Sequence, residues 1–147
     1  MRRLFVLPLT LWLSSLWLVA PAQAVSMCDG RKVTITSSRL LIVGTTKNDV
    51  ILVVGYGRHT VDGGKGNDVI CGSSGADVIT GGSGNDTILG NGGADTISGG
   101  TGTNYLSGGL GDDRINGGSG TDVIFGDQGN DYVNASGGSD TVNGLSL

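Results

Sequence analysis

From Gly63 to Asn143 the chain is nine contiguous nonapeptides with no insertion: GGKGNDVIC, GSSGADVIT, GGSGNDTIL, GNGGADTIS, GGTGTNYLS, GGLGDDRIN, GGSGTDVIF, GDQGNDYVN and ASGGSDTVN. Position 4 is Gly in every copy. Position 6 is Asp in all but one, where Asn104 stands, and position 8 is always aliphatic, from Ile70 to Val142. A unit of nine residues cannot bury a face of its own, so tandem copies must stack on one another as a solenoid. That requirement excludes most other architectures before composition is considered.

Each position has a physical reading. Glycines at positions 1, 2 and 4 permit backbone angles closed to residues with a Cβ and let neighbouring chains approach closely. Such a run disfavours helix. Positions 7 to 9, rich in Val, Ile, Thr and Tyr, read as a three-residue strand. Strand alternation turns position 8 inward and positions 7 and 9 outward. The expected core is therefore a thin file of one Ile, Leu or Val per repeat. So little apolar burial cannot offset the entropy of ordering nine residues. Another source of stabilisation is required.

The column of aspartates is the candidate. The chain contains no Glu; all its acidic residues are Asp, and its net charge is −4. Stacked strands repeat every ~4.8 Å, so one Asp per turn forms a file of carboxylates at that spacing. At an effective dielectric of about 20, two neighbours in such a file repel by about 3 kcal/mol. A cation between them would remove the repulsion. Carboxylate and carbonyl oxygens in irregular geometry suit Ca2+, and fit the stricter octahedron of Mg2+ less well. One His and two Cys do not make a zinc set. Binding and folding are expected to be coupled.

The nonapeptides resemble the RTX calcium-binding repeat, glycine-glycine-x-glycine-x-aspartate-x-aliphatic-x, over residues 63–143. The resemblance implies an all-β fold: a right-handed parallel β-roll with two nonapeptides per coil. It also implies calcium in the turns, held by Asp side chains and turn carbonyls of successive coils. Alternate repeats would share an edge. One edge would carry Asp68, Asp86, Asn104, Asp122 and Asp140, the other Asp77, Asp95, Asp113 and Asp131. The intervals between them give up to about seven Ca2+ ions, with the two intervals beside Asn104 weaker. Asp112 and Asp127 are expected to be solvated.

Upstream the pattern decays. Gly44–Leu52 keeps Asp49 and Ile51 but has Lys47 at position 4. Val54–Asp62 keeps Val61 but has His59 in place of Asp, and the extra residue Val53 separates the two. A further strand is expected near Leu40–Val43. Residues 25–62 thus read as an N-terminal cap with degenerate repeats, and 144–147 as a tail. Residues 1–24, with Arg2 and Arg3, an apolar stretch and Ala22-Gln23-Ala24, read as a cleavable signal peptide for the general secretory route. Export, after which no membrane insertion is expected, would let Cys28 and Cys71 oxidise. Their even count predicts one disulfide, with two free thiols as the alternative. An early Cys and one in the first full repeat loosely resemble the layout of short secreted bacterial calcium-binding proteins.

With no basic stripe, nucleic acid is excluded as a partner. No nucleophile elbow, phosphate loop or zinc motif is present, and His59 reads as a solvated turn residue, so no enzymatic activity is expected. A calcium-dependent adhesion or surface-recognition module is the alternative function. Its outward face would combine Val69, Cys71, Leu89, Tyr105, Val123 and Phe125. That apolar strip would meet a partner, a second copy or, preferentially, the chain's own N-terminus.

Overall fold

The computed structural model describes residues 27–144. The expected signal peptide, 1–24, lies outside them. All regular elements among the described residues are strands. β1 (Met27–Cys28) and β2 (Arg31–Lys32) form a small antiparallel hairpin. The chain then alternates between two parallel sheets. The first holds β3 (Ile35–Ser37), β5 (Val50–Val53), β7 (Val69–Cys71), β9 (Thr87–Leu89), β11 (Tyr105–Leu110), β13 (Val123–Gln128) and β15 (Thr141–Asn143). The second holds β4 (Leu41–Val43), β6 (Thr60–Lys65), β8 (Val78–Ser83), β10 (Thr96–Thr101), β12 (Arg114–Ser119) and β14 (Tyr132–Asn134). Neighbours within each sheet are two strands apart in sequence, so each coil contributes one strand to each side. This is the two-repeat parallel β-roll that the sequence predicts.

Register follows the repeat. Ile79 pairs with Ile97 and Ile97 with Ile115, so one coil advances eighteen residues. Between β5 and β7 the step is nineteen, because Val53 is an extra residue. Rather than bulging outward, Val53 turns into the core. The strand expected near Leu40–Val43 is β4, and β3 adds a coil edge that the repeat pattern does not reveal.

Two expectations require correction. The longer strands are six residues, not three: β8, β10, β11 and β12 run from position 7 through positions 1 to 3 of the next repeat. The glycine pair is part of the ladder, as Gly82 pairs with Gly100 and Gly100 with Gly118. Secondly, position 1 does not need glycine for a left-handed angle. Only positions 2 and 4 take positive φ, for example Gly100 at 97° and Gly102 at 114°. Position 1 is glycine for lack of room, as the turns show below.

The core is the expected single file. Ile70, Ile79, Ile88, Ile97, Leu106, Ile115 and Ile124 are fully buried, extended upstream by Val61, Val53, Ile51 and Ile42. Val133 is half-buried, and Val142 is 37% exposed. A second, smaller cluster lies on the outer face of the first sheet. Cys28, Val69 and Cys71 are buried there with Val33, Val50, Leu52 and Leu89 around them. A Cys28–Cys71 disulfide, Cα–Cα 5.8 Å, fixes the hairpin on that face. The N-terminal segment thus covers the first part of the apolar strip. Further along, Tyr105 packs on Phe125, ring centroids 5.4 Å apart, and is 42% exposed.

Candidate metal sites in the turns

Each turn ends on position 6, where the side chain folds back beneath the preceding coil. Asp68 Oδ1 accepts the backbone N–H of Asp49 at 2.8 Å, and Asp86 Oδ1 that of Asp68. Asn104 Oδ1 accepts from Asp86, Asp122 from Asn104, and Asp140 from Asp122. The opposite edge repeats this: Asp77 Oδ1 accepts from His59, Asp95 from Asp77, Asp113 from Asp95 and Asp131 from Asp113. The two edges therefore carry the residues expected from the alternation. The carboxylate does more than the sequence disclosed, because one oxygen of each is a rung of the backbone ladder.

The second oxygen has no such use. Oδ2 of Asp68, Asp86, Asp95, Asp113, Asp122 and Asp131 is buried without a hydrogen-bond partner, as is Nδ2 of Asn104. Asp68, Asp86, Asp95 and Asp113 are each 1% exposed. The sole ion pair among the described residues involves His59, so no Lys or Arg compensates these carboxylates. Burial pushes the carboxyl of Asp95 up to about 7. It likewise lifts Asp68 and Asp113 to about 6 and raises Asp86. The rung from the preceding coil opposes each rise, while neighbouring carboxylates add to it at Asp68, Asp95 and Asp113. An uncompensated buried anion is costly, and a file of them calls for a counter-charge.

The space around each orphaned oxygen is a small oxygen-lined cradle. A Cβ built on Gly63 would lie 2.7 Å from Asp68 Oδ2 and 2.6 Å from the carbonyl oxygen of Gly81, one coil on. On Gly81 it would meet Asp86 Oδ2 at 2.5 Å and Gly99 O at 2.7 Å, and on Gly117 Asp122 Oδ2 and Ala135 O, both at 2.6 Å. Gly90 and Gly108 stand in the same relation to Asp95 with Gly108 O and to Asp113 with Gly126 O. Position 1 is glycine because a methyl group would fill the cradle. The donors are a carboxylate oxygen and a main-chain carbonyl, with no nitrogen or sulfur, which fits a hard divalent cation such as Ca2+. No three His, Cys, Asp or Glu side chains converge among the described residues, so main-chain oxygens must supply much of any coordination shell.

Three turns differ. At Asn104 an amide nitrogen faces the cradle, 2.8 Å from a Cβ on Gly99, because Oδ1 is already the rung for Asp86. At Asp77 the second oxygen is not free: Ser73 donates its N–H at 2.8 Å and its Oγ–H at 2.9 Å to Oδ2. At Asp49, Thr45 N–H and Oγ1–H do the same. His59, expected to be solvated, is buried, with Nδ1 3.0 Å from Asp77 Oδ1 and 3.4 Å from Ser73 Oγ. The imidazole fits because Val54–Asp62 places position 6 inside the roll whatever its side chain. The trio of Ser, His and Asp does not form a nucleophile relay: the same ring nitrogen faces both partners, and the hydroxyl is already spent on the carboxylate.

Asp112 and Asp127 lie outside the cradles. They are exposed and accept from Asn130 N–H and Ser107 Oγ–H respectively. A second ladder escaped the sequence reading: the position-5 carboxamides of Asn48, Asn67 and Asn85 accept the N–H of Asn67, Asn85 and Thr103. The recurrence of Asn at position 5 was its only signal.

A parallel solenoid, all strand among the described residues, with files of buried carboxylates at its turns is a metal-binding roll. The family model for the RTX calcium-binding nonapeptide repeat matches in four overlapping copies, over residues 53–88, 72–106, 89–124 and 107–142, and the chain belongs to that family. RTX repeats bind calcium, and their β-roll is a structural module. No curated protein or solved structure matches the chain.

Proposed function

We propose that this protein is an exported calcium-binding roll that folds when Ca2+ enters its turns outside the cell. The supporting observation is the set of buried, unpartnered Oδ2 atoms, five of them beside a main-chain carbonyl of the next coil. Five turns have both donors: Asp68 with Gly81 O, Asp86 with Gly99 O, Asp122 with Ala135 O, Asp95 with Gly108 O and Asp113 with Gly126 O. Beside Gly126 the three nearest atoms all belong to Asp131, so no carbonyl approaches there as closely as in those five turns. Asp140 orders the turn of Asp122, while Ala135 holds the position-1 place in its own repeat. Asp77 is closed by internal donors. The expected complement is thus about five strong ions, differently placed from the sequence reading: Asp86 is a full site and Asp77 is not.

Export is supported by the Cys28–Cys71 disulfide, which needs an oxidising compartment, and by the occurrence of RTX repeats in secreted proteins. A calcium-free chain crosses a membrane unfolded and is then trapped folded by the ion on the far side. Circular dichroism of the 25–147 chain in chelator and in millimolar Ca2+ tests the proposal. A large gain of β signal on adding calcium is expected; an unchanged spectrum overturns it.

An adhesive role draws on the Tyr105–Phe125 patch, which the N-terminal hairpin does not cover. Sedimentation of the calcium-loaded protein tests it. A concentration-dependent dimer that Tyr105→Ser abolishes would favour a role for this surface in association, and a strict monomer would count against it.

A further inference from the structure

The backbone at position 2 divides the turns into two kinds. In the eight turns opening at Gly63, Gly81, Gly90, Gly99, Gly108, Gly117, Gly126 and Ala135, positions 2 and 4 both have positive φ. This holds even where position 2 is not glycine: Asn91 at 72°, Asp127 at 68° and Ser136 at 68°. In the turns opening at Gly44 and Gly72, neither position does. Those are the two turns in which the position-2 residue, Thr45 or Ser73, aims both its N–H and its hydroxyl at Oδ2 of the position-6 Asp. Ser136 has the same side chain as Ser73, but its left-handed backbone sends its hydroxyl to Asn116 instead.

We propose that Thr45 and Ser73, with His59, take the place of calcium at Asp49 and Asp77, so that the first coils, in which Asp68 alone is an open turn, are the least calcium-dependent part of the roll and the nucleus on which the remaining coils assemble. This rests on the calcium reading of the remaining turns. The two closed carboxylates are solvated internally: Asp77 accepts from His59 N–H, faces His59 Nδ1 and accepts twice from Ser73. Both are satisfied without a counter-ion, whereas the Oδ2 atoms of the open turns are not: Asp68, which lies between the two closed turns, and those from Asp86 onward. The same end carries the disulfide and the second apolar cluster, so its covalent and hydrophobic support is also independent of metal. Once this end is formed, its strands β7 and β8 offer edges on which β9 and β10 pair in register.

The test is calcium stoichiometry by native mass spectrometry and equilibrium dialysis. Ser73→Gly removes the hydroxyl and frees position 2 to adopt the left-handed angle of the open turns, leaving Asp77 Oδ2 beside Gly90 O. One ion per chain more than wild type is expected, while Asn91→Gly, at a turn already open, adds none. Unchanged stoichiometry in a Ser73→Gly protein with native circular dichroism overturns the proposal. Hydrogen exchange of the wild-type chain in chelator provides the second measurement and needs no substitution. Protection at the amides of Thr45, His59 and Ser73, which donate to the closed carboxylates, with none at Asp113 and Asp122, is expected. Uniform exchange along the roll overturns the nucleus. A wild-type chain that binds no calcium at all would instead sink the reading of the open turns, and the two failures are distinct.

Discussion

At the residue scale the decisive atom is the second carboxylate oxygen of position 6. Oδ1 of the same carboxylate is held by the backbone ladder, so the aspartate cannot rotate away from its neighbours to relieve their charge. Glycine at position 1 keeps the adjoining space open. Gly81→Ala would put a methyl group 2.5 Å from Asp86 Oδ2 and 2.7 Å from Gly99 O. Loss of one bound ion with the others retained is expected by native mass spectrometry; a full complement would show that the cradle is not the site. Acidity enters through the same atoms. The folded carboxyls of Asp68, Asp95 and Asp113 titrate above their ordinary value of 3.8, so between those limits the folded chain holds more protons than the unfolded one. Stability of the calcium-free roll therefore falls as pH rises from about 4 through about 7, and is greatest below that window. Chelated protein followed by circular dichroism at pH 5 and pH 8 checks the sign: residual structure should be greater at pH 5. The files of Asp were legible in the sequence, because a nine-residue period places them on two edges. Their double use was not, since a repeat does not say which oxygen the backbone claims. The burial of His59 was missed for a similar reason: it was read by residue type rather than by its place in the coil.

At the scale of elements, each coil is two strands joined by two turns, with one aliphatic side chain per strand pointing inward. Strand alternation made that file readable from position 8 alone. The length of the strands was not readable, because glycine pairs ordinarily weaken a strand. Here they remain in register because Gly82, Gly100 and Gly118 stack on one another with no side chains between. A core one residue wide has no second layer to close over a cavity. Ile97→Ala in the calcium-loaded protein should cost about 2–5 kcal/mol, read from denaturant midpoints, toward the upper part of that range. A loss under about 1 kcal/mol would mean that the sheets collapse onto the gap.

At the scale of the molecule, the roll is polar. One end carries the hairpin, the Cys28–Cys71 bond and the two closed turns, with Asp68 open between them; from Asp86 on, the aspartates of the turns through Asp131 keep an unpartnered oxygen. The even number of cysteines indicated the bond, but the closure of Asp49 by Thr45, and of Asp77 by Ser73 and His59, shows only in the folded chain. Cys71→Ser opens a loop spanning a sequence separation of 43 residues, worth about 4 kcal/mol in the chain-entropy account. The calcium concentration at the folding midpoint should rise severalfold in the variant, measured by titration in oxidising buffer. An unchanged midpoint would show that the hairpin adds nothing to the roll.

The eighteen-residue advance has a consequence for how such a chain can change length. A duplicated coil arrives with its own pair of inward aliphatics, its own aspartates to orient the coil before it, and its own bare glycines where the next main chain must pass. Nothing distant has to be rematched. Genes encoding such a chain could therefore expand or contract in steps of fifty-four bases, each step altering ionic capacity while leaving every existing contact of the neighbouring coils in kind.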